Sequence, residues 1–251
     1  MTTYIMPPNS SLPTLNFRIY LGSLLFSMCM AFSAVVIGLI ILACYFFPFS
    51  VRYQASQLWV RFTLGTARLF CGIHYQVEGL EHIKDIPVAI VLSKHQSAFE
   101  TLALRIILPH HAVLLKKSLL RLPVWGWAMA TLKPIAIDRS QKRHALRALV
   151  EKGRGYLQEG LWVLIFPEGT RAAPDETTKF NAGGALLAEK TAYPVIPIAL
   201  NSGTYWPRNG FIKYPGTIKV KIGPPISSQN RKASDINNEA IAWITQAMAT
   251  L

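Results

Sequence analysis

Val88-Ala89-Ile90-Val91-Leu92, followed by Ser93-Lys94-His95-Gln96-Ser97-Ala98-Phe99-Glu100, is the stretch from which the rest of this chain can be read. The apolar run has the length and branched content of a buried strand, and it empties into an imidazole with a carboxylate five residues further on. Ser97-x-x-Glu100 then leads into Thr101-Leu102-Ala103-Leu104-Arg105-Ile106-Ile107, which predicts a helix starting at Ser97. His95 is left in the turn between strand and helix, where α/β proteins carry their chemistry. In one regular helix two residues five apart would point about 140° away from each other. With His95 in the turn and Glu100 in the first helical turn, the carboxylate can meet one ring nitrogen and leave the other as a base. That is the logic of a catalytic triad without its own nucleophile, which the substrate would have to supply. The same residues also read as a plain capping box, with Glu100 satisfying a backbone N–H.

A second stretch carries chemistry. The run Leu161-Trp162-Val163-Leu164-Ile165-Phe166 passes into Pro167-Glu168-Gly169-Thr170-Arg171, a strand closed by a tight turn that brings backbone N–H groups, a hydroxyl and a guanidinium together. Thr and Arg converging on one point suit phosphate oxygens, and Arg offers a two-point contact. Standing alone, the motif is a surface turn with an ordinary arginine.

Working outward, strands are expected at 73–77, 112–115, 134–137, 195–200 and 217–222. A helix after Asp138-Arg139 places Leu146, Leu149, Val150, Gly153 and Leu157 on one face, a short one begins at Gly183, and a closing helix from about Ala233 carries Ile236, Ala240, Ile244 and Met248 inward. Strands alternating with helices imply an α/β domain with a largely parallel central sheet flanked by helices. Lys116-Lys117-Ser118-Leu119-Leu120-Arg121-Leu122-Pro123-Val124-Trp125-Gly126-Trp127 reads either as a core face or as a groove for an acyl chain under phosphate-holding lysines.

The chain has 251 residues, 51% of them hydrophobic, and a positive mean hydropathy, which points toward a membrane. Residues 21–47 contain no charged side chain. As a helix they would extend ~40 Å against a hydrocarbon core of ~30 Å, so a tilted spanning helix fits, and so does a hairpin or oblique helix in one leaflet. The expected organisation is a tail at 1–20, a membrane anchor at 21–47, an amphipathic juxtamembrane helix at 48–72 with Arg52, Arg61 and Arg68, and a catalytic domain at 73–251. A cleaved signal peptide is disfavoured by the length of the apolar run. Arg18 is the only basic side chain before the anchor, whereas Arg52, Arg61 and Arg68 follow it with no acidic residue until Glu78, which predicts that the rest of the chain stays on the cytoplasmic side; of the 26 Lys and Arg, 25 follow the anchor together with all 13 Asp and Glu, leaving that part with a net charge of +12. Such a surface fits anionic lipid headgroups or phosphorylated ligands; no recognition helix, zinc spacing or RNA-binding aromatic motif argues for nucleic acid. Cys29, Cys44 and Cys71 form no CxxC or metal-ligand cluster, so neither a disulfide framework nor a metal is expected.

Four stretches in order, His95-x4-Glu100, the Lys116 to Gly126 block, Phe166-Pro167-Glu168-Gly169-Thr170-Arg171 and Val195-Ile196-Pro197-Ile198, together resemble the four motifs of the glycerolipid acyltransferases, most closely the bacterial 1-acyl-sn-glycerol-3-phosphate acyltransferases. The resemblance covers residues 73–223 and implies the acyltransferase α/β fold with an amino-terminal anchoring helix or helical hairpin. It implies transfer of an acyl group from acyl-CoA or acyl-acyl carrier protein to the sn-2 hydroxyl of lysophosphatidic acid, giving phosphatidic acid at the bacterial inner membrane, without a cofactor. His95 and Glu100 would be catalytic. Glu168, Gly169, Thr170 and Arg171 would hold the substrate phosphate with help from Lys116 and Arg139, and Pro197 would shape the apolar wall. Two positions depart from the family pattern: Glu100 stands where Asp is usual, and Ser118 where Glu commonly follows the lysines. Another lysolipid or glycerol 3-phosphate as acceptor, a thioester hydrolase and a non-catalytic membrane scaffold are the competing functions.

Overall fold

The computed structural model describes residues 12–174 and 179–251. Two long helices come first, α1 (Phe17–Ala43) and α2 (Phe49–Cys71). Asn16 starts α1 by accepting the Ile19 N–H at 3.0 Å. The helix therefore begins four residues before the expected anchor, and of the expected tail, residues 1–11 lie outside the described residues. Gly72, in the left-handed region at φ 67°, ends α2.

The remainder alternates as its apolar runs predict: β1 (Ile73–Glu78), β2 (Ile90–Ser93), α3 (Phe99–Ile107), β3 (His111–Lys116), α4 (Trp125–Ala130), β4 (Ile135–Ile137), α5 (Lys142–Gln158), β5 (Trp162–Ile165), α6 (Gly183–Thr191), β6 (Val195–Leu200), α7 (Ser202–Tyr205), β7 (Gly216–Ile222) and α8 (Ala233–Met248). Among the described residues the strands form one sheet in the order β1-β7-β6-β2-β5-β3-β4, and every pairing is parallel except β6 with β7. Strands β2 and β5 are central neighbours, so the two turns singled out in the sequence emerge side by side at their carboxyl ends.

The sheet is buried on both faces, which is why its strands read as continuous apolar runs. One core packs Val91, Leu164, Ile196 and Phe99 against α2 and α3; the other packs Ile90, Val163 and Leu92 against α5, α6 and α8. Gly153 lets α5 approach α6, since a Cβ there would stand 2.7 Å from the Leu187 side chain.

The expected anchor does not stand apart from the domain. A Cβ on Gly22 of α1 would collide with the Phe70 carbonyl of α2, Ser23 accepts the Lys213 N–H at 2.9 Å, Trp59 donates to Ser33 at 3.0 Å, and Gly38 abuts Val124. The opposite side of α1 exposes Leu25, Met28, Phe32, Val36 and Leu39. Helix α2 is likewise two-faced, burying Tyr53, Val60, Leu64 and Ala67 while exposing Leu58, Phe62 and Leu69 beside Arg61 and Arg68.

Candidate active site

The turn after β2 holds His95 and Glu100 together: Nδ1 of His95 lies 3.0 Å from Oε1 of Glu100, whose side chain is completely buried. The same carboxylate also performs the capping task, so the two readings of the sequence are not exclusive. Its Oε1 accepts the backbone N–H of Ser97 at 2.6 Å and that of Gln96, and its Oε2 accepts the hydroxyls of Ser97 at 2.9 Å and Ser202 at 2.8 Å. These bonds keep residues 96–98 in a turn, and the helix starts at Phe99 rather than Ser97, with Ser97 Oγ accepting the Phe99 N–H at 2.9 Å. Burial on its own would raise the Glu100 carboxyl, but the hydrogen bond and charge of His95, with the Ser97 N–H and Ser202 hydroxyl, outweigh it and hold the pKa below its ordinary value. With Nδ1 engaged, Nε2 is the free ring nitrogen.

The second turn comes to the first through Phe166, whose ring stacks on the His95 imidazole with centroids 4.1 Å apart. Its shape depends on Gly169 at φ 72° and on Asn181, whose N–H and side-chain amide both donate to the Pro167 carbonyl at 2.8 and 2.9 Å.

Glu168 differs from expectation. Its carboxylate turns inward, Oε1 accepting the His95 N–H at 2.8 Å and Oε2 pairing with the Lys94 ammonium at 3.2 Å. An anion so placed holds the His95 backbone in position and is the wrong charge to take a phosphate. Thr170 is exposed and does not line the cavity beside the site, and the Gly169 carbonyl is taken by the Arg139 guanidinium.

Pro197, expected to shape the apolar wall, is not among the residues that line the cavity. It lies buried in β6, opposite Leu92 and away from the cavity. A proline is tolerated in this central strand because its nitrogen faces β7 where that ladder is interrupted, between the Ile198–Ile222 pair and the Val195–Ile226 bridge.

A cavity of about 880 Å³ opens beside His95. Lys116, Arg139 and Arg171 line it as expected, and so does Lys142, which the sequence reading missed. Among the described residues no ion pair engages Arg171. Most of the remaining wall is apolar, including Ala34 and Ile37 of α1, Trp59 of α2, Leu102 of α3 and Met129 of α4, with Ser56, Thr101, Arg105 and Asn181 as its polar members. Thus the basic-and-indole block at 116–127 contributes to a groove, with Leu119 and Trp125 in its lining. An imidazole base, a row of cations and an apolar trough form a site for a molecule with an anionic head and a long hydrocarbon. Lys94, Ser97 and Ser202 were missed as well. Ser97 was legible as a cap, but Lys94 and Ser202 meet the site only through tertiary contacts.

Residues 74–201 match the acyltransferase family model. The chain is 46% identical over 81% of its length to the 1-acyl-sn-glycerol-3-phosphate acyltransferase of Pseudomonas aeruginosa, covering 80% of that protein. It is 31% identical over 80% of its length to the enzyme of the same name from Saccharomyces cerevisiae, covering 67% of it. The crystal structure of the 1-acyl-sn-glycerophosphate (LPA) acyltransferase PlsC from Thermotoga maritima superposes with a TM-score of 0.75, at 22% identity, over 90% of this chain and 93% of that one, a likeness of fold. By its sequence and by its family match, the chain belongs to the acyltransferase family.

Proposed function

We propose that this acyltransferase moves a fatty acyl group from a thioester, acyl-CoA or acyl-acyl carrier protein, to the sn-2 hydroxyl of lysophosphatidic acid, giving phosphatidic acid and the free thiol. The observation that carries the reading is the His95–Glu100 pair, at 3.0 Å, on a cavity that also presents Arg171, in a chain 46% identical to a relative named for this activity. Nε2 of His95 takes the hydroxyl proton as the oxygen attacks the thioester carbonyl, and Glu100 stabilises the imidazolium. The tetrahedral intermediate collapses, the carbon–sulfur bond breaks, and His95 returns the proton to the departing thiolate. The donor brings the activated acyl group and the dyad brings the base, so the reaction calls on no cofactor. Arg171, with Lys116, Arg139 and Lys142, takes the acceptor's phosphate, and the apolar trough takes hydrocarbon.

The test is incubation of the purified chain in vesicles with labelled lysophosphatidic acid and each donor in turn. Phosphatidic acid is the expected product. Free fatty acid released equally with and without acceptor would replace this reading with a thioester hydrolase, and transfer only to a different lysolipid or to glycerol 3-phosphate would change the acceptor.

The membrane attachment belongs to the same proposal. Helix α1 touches the domain from Gly22 to Gly38, a span of about 24 Å at the helical rise, which a bilayer-crossing segment would have to separate from it. A helix apolar on its outer side and packed on its inner side lies within one leaflet, with the arginines of α2 at headgroup depth and the domain on the cytoplasmic side of the inner membrane. A cysteine placed at Leu12 is then labelled by an impermeant thiol reagent from the cytoplasmic face; labelling only from the opposite face means that α1 crosses.

A further inference from the structure

Besides His95, three donors to Glu100 come from its own turn: the Gln96 and Ser97 N–H groups and the Ser97 hydroxyl. The fourth, the Ser202 hydroxyl at 2.8 Å from Oε2, arrives from a point 102 residues further along the chain. Ser202 is completely buried, and its oxygen lies 3.0 Å from that of Ser97, the two hydroxyls side by side on Oε2. It lies just past the 74–201 stretch matched by the acyltransferase family model.

Its placement is specific. Strands β2 and β6 pair with Ser93 opposite Ile198, and the Lys94 N–H donates to the Ile198 carbonyl at 2.9 Å, which fixes where β6 ends. Past that end the chain turns into α7, and the turn is tied back to the residue after His95, because Gln96 Oε1 accepts the Gly203 N–H at 3.0 Å. The approach is close at Gly203, where a Cβ would stand 3.0 Å from the Gln96 Cβ and from the Pro174 ring. The Trp206 N–H closes the turn on the Ser202 carbonyl at 2.8 Å.

The effect on Glu100 follows from its extra methylene. Its own turn places two backbone N–H groups on Oε1 but only the Ser97 hydroxyl on Oε2, and the terminal torsion of a glutamate is broad, so the plane of the carboxylate keeps some freedom to rotate. A second donor on Oε2, carried by α7 just past the end of β6, removes that freedom and leaves Oε1 facing His95 Nδ1. We propose that Ser202 is a positioning residue for acyl transfer, its hydroxyl fixing the Glu100 carboxylate so that the carboxylate orients His95. The proposal rests on the reading of His95 and Glu100 as the base.

The experiment compares Ser202→Ala and Glu100→Gln, singly and combined, in the full chain reconstituted in vesicles. Ser202→Ala lowers kcat on the order of tenfold, the range for a hydrogen bond to a charged group, and leaves the KM of donor and acceptor and the melting temperature near those of the parent. In the Glu100→Gln background the same change costs nothing further, because no carboxylate is left to hold. Ser202→Cys, close in size and a weak donor, gives an intermediate kcat and covers the case in which the alanine variant folds poorly. Parent-like kcat in Ser202→Ala or Ser202→Cys overturns the proposal, and so does an equal fold-loss in both backgrounds, the mark of a packing role. Full activity in Glu100→Gln alone is a different outcome: it removes the base reading on which the proposal stands.

Discussion

The turns after β2 and β5 each carry one buried glutamate, and the two carboxylates act on the same histidine from opposite ends. Glu100 meets the His95 ring, 3.0 Å from Nδ1, whereas Glu168 meets the His95 backbone, accepting its N–H at 2.8 Å. Their counter-groups differ in kind. Glu100 is satisfied by an imidazole, two N–H groups and two hydroxyls. Glu168 is paired with the ammonium of Lys94, a fixed charge. On the proposed mechanism the carboxylate on the ring serves the reaction, and the one on the backbone serves the geometry.

The largest effect comes from removing what both carboxylates serve. His95→Ala is expected to lower turnover by at least ~10², the lower end for loss of a general base, in a protein that still folds and inserts. Near-parent activity in a folded His95→Ala protein would make both turns structural.

Exchanging each carboxylate for its amide separates their tasks. Glu168→Gln keeps an acceptor for the His95 N–H but leaves the Lys94 ammonium, 11% exposed, without its counter-charge. Loss of one partner of a buried pair costs on the order of 3 kcal/mol, so the melting temperature should drop by roughly 6–12 °C for a chain of this size. Glu100→Gln should do the reverse and lose turnover with a much smaller loss of melting temperature. Thermal scans and turnover per folded molecule for the two variants decide; a Glu168→Gln protein that melts with the parent would undo the contrast.

The second turn ends on Arg171, and here the expected effect is smaller and falls on one substrate. Arg171→Ala should raise the KM for lysophosphatidic acid and lower its kcat/KM roughly tenfold, with the donor's KM nearly unchanged. Lys should restore part of the loss, since it supplies charge without the planar fork. A rise in the donor's KM alone would move the phosphate site to the thioester carrier.

What the sequence made legible follows from how local each feature is. The strands were readable because a sheet covered on both faces needs uninterrupted apolar runs such as Val195–Leu200, and the His95–Glu100 contact was readable because both groups sit in one strand-turn-helix unit. The direction of Glu168 was not, because it depends on Lys94, 74 residues earlier, brought beside it only by the pairing of β2 with β5. Pro197 misled because a proline in an apolar run near two motifs looks like a pocket wall, and only the interruption of β7 explains it. Helix α4 escaped notice since it is short and entered through Val124 at positive φ after Pro123. Residues 21–47 showed an apolar helix but not its partner face, which requires Phe70, Val124 and Lys213 to be in place.

The smallest expected effect is a pH dependence, and it tests whether Glu100 is held as an anion. Its carboxyl lies below the ordinary 4.5 in the folded chain: burial works to raise it, and the hydrogen bond and charge of His95, the Ser97 N–H and the Ser202 hydroxyl together lower it further. For a carboxyl depressed on folding, the stability it contributes is complete above the unfolded value and is lost as the pH falls toward and through the folded one. The parent should therefore lose melting temperature as the pH drops below about 5, with part of that slope due to Glu100. Glutamine does not titrate, so the Glu100→Gln curve should be shallower over the same range while the two variants of the second turn, Arg171→Ala and Arg171→Lys, keep the parent's slope. Parallel curves for the parent and Glu100→Gln would mean that the four donors around this carboxylate, besides His95, do no more than offset its burial.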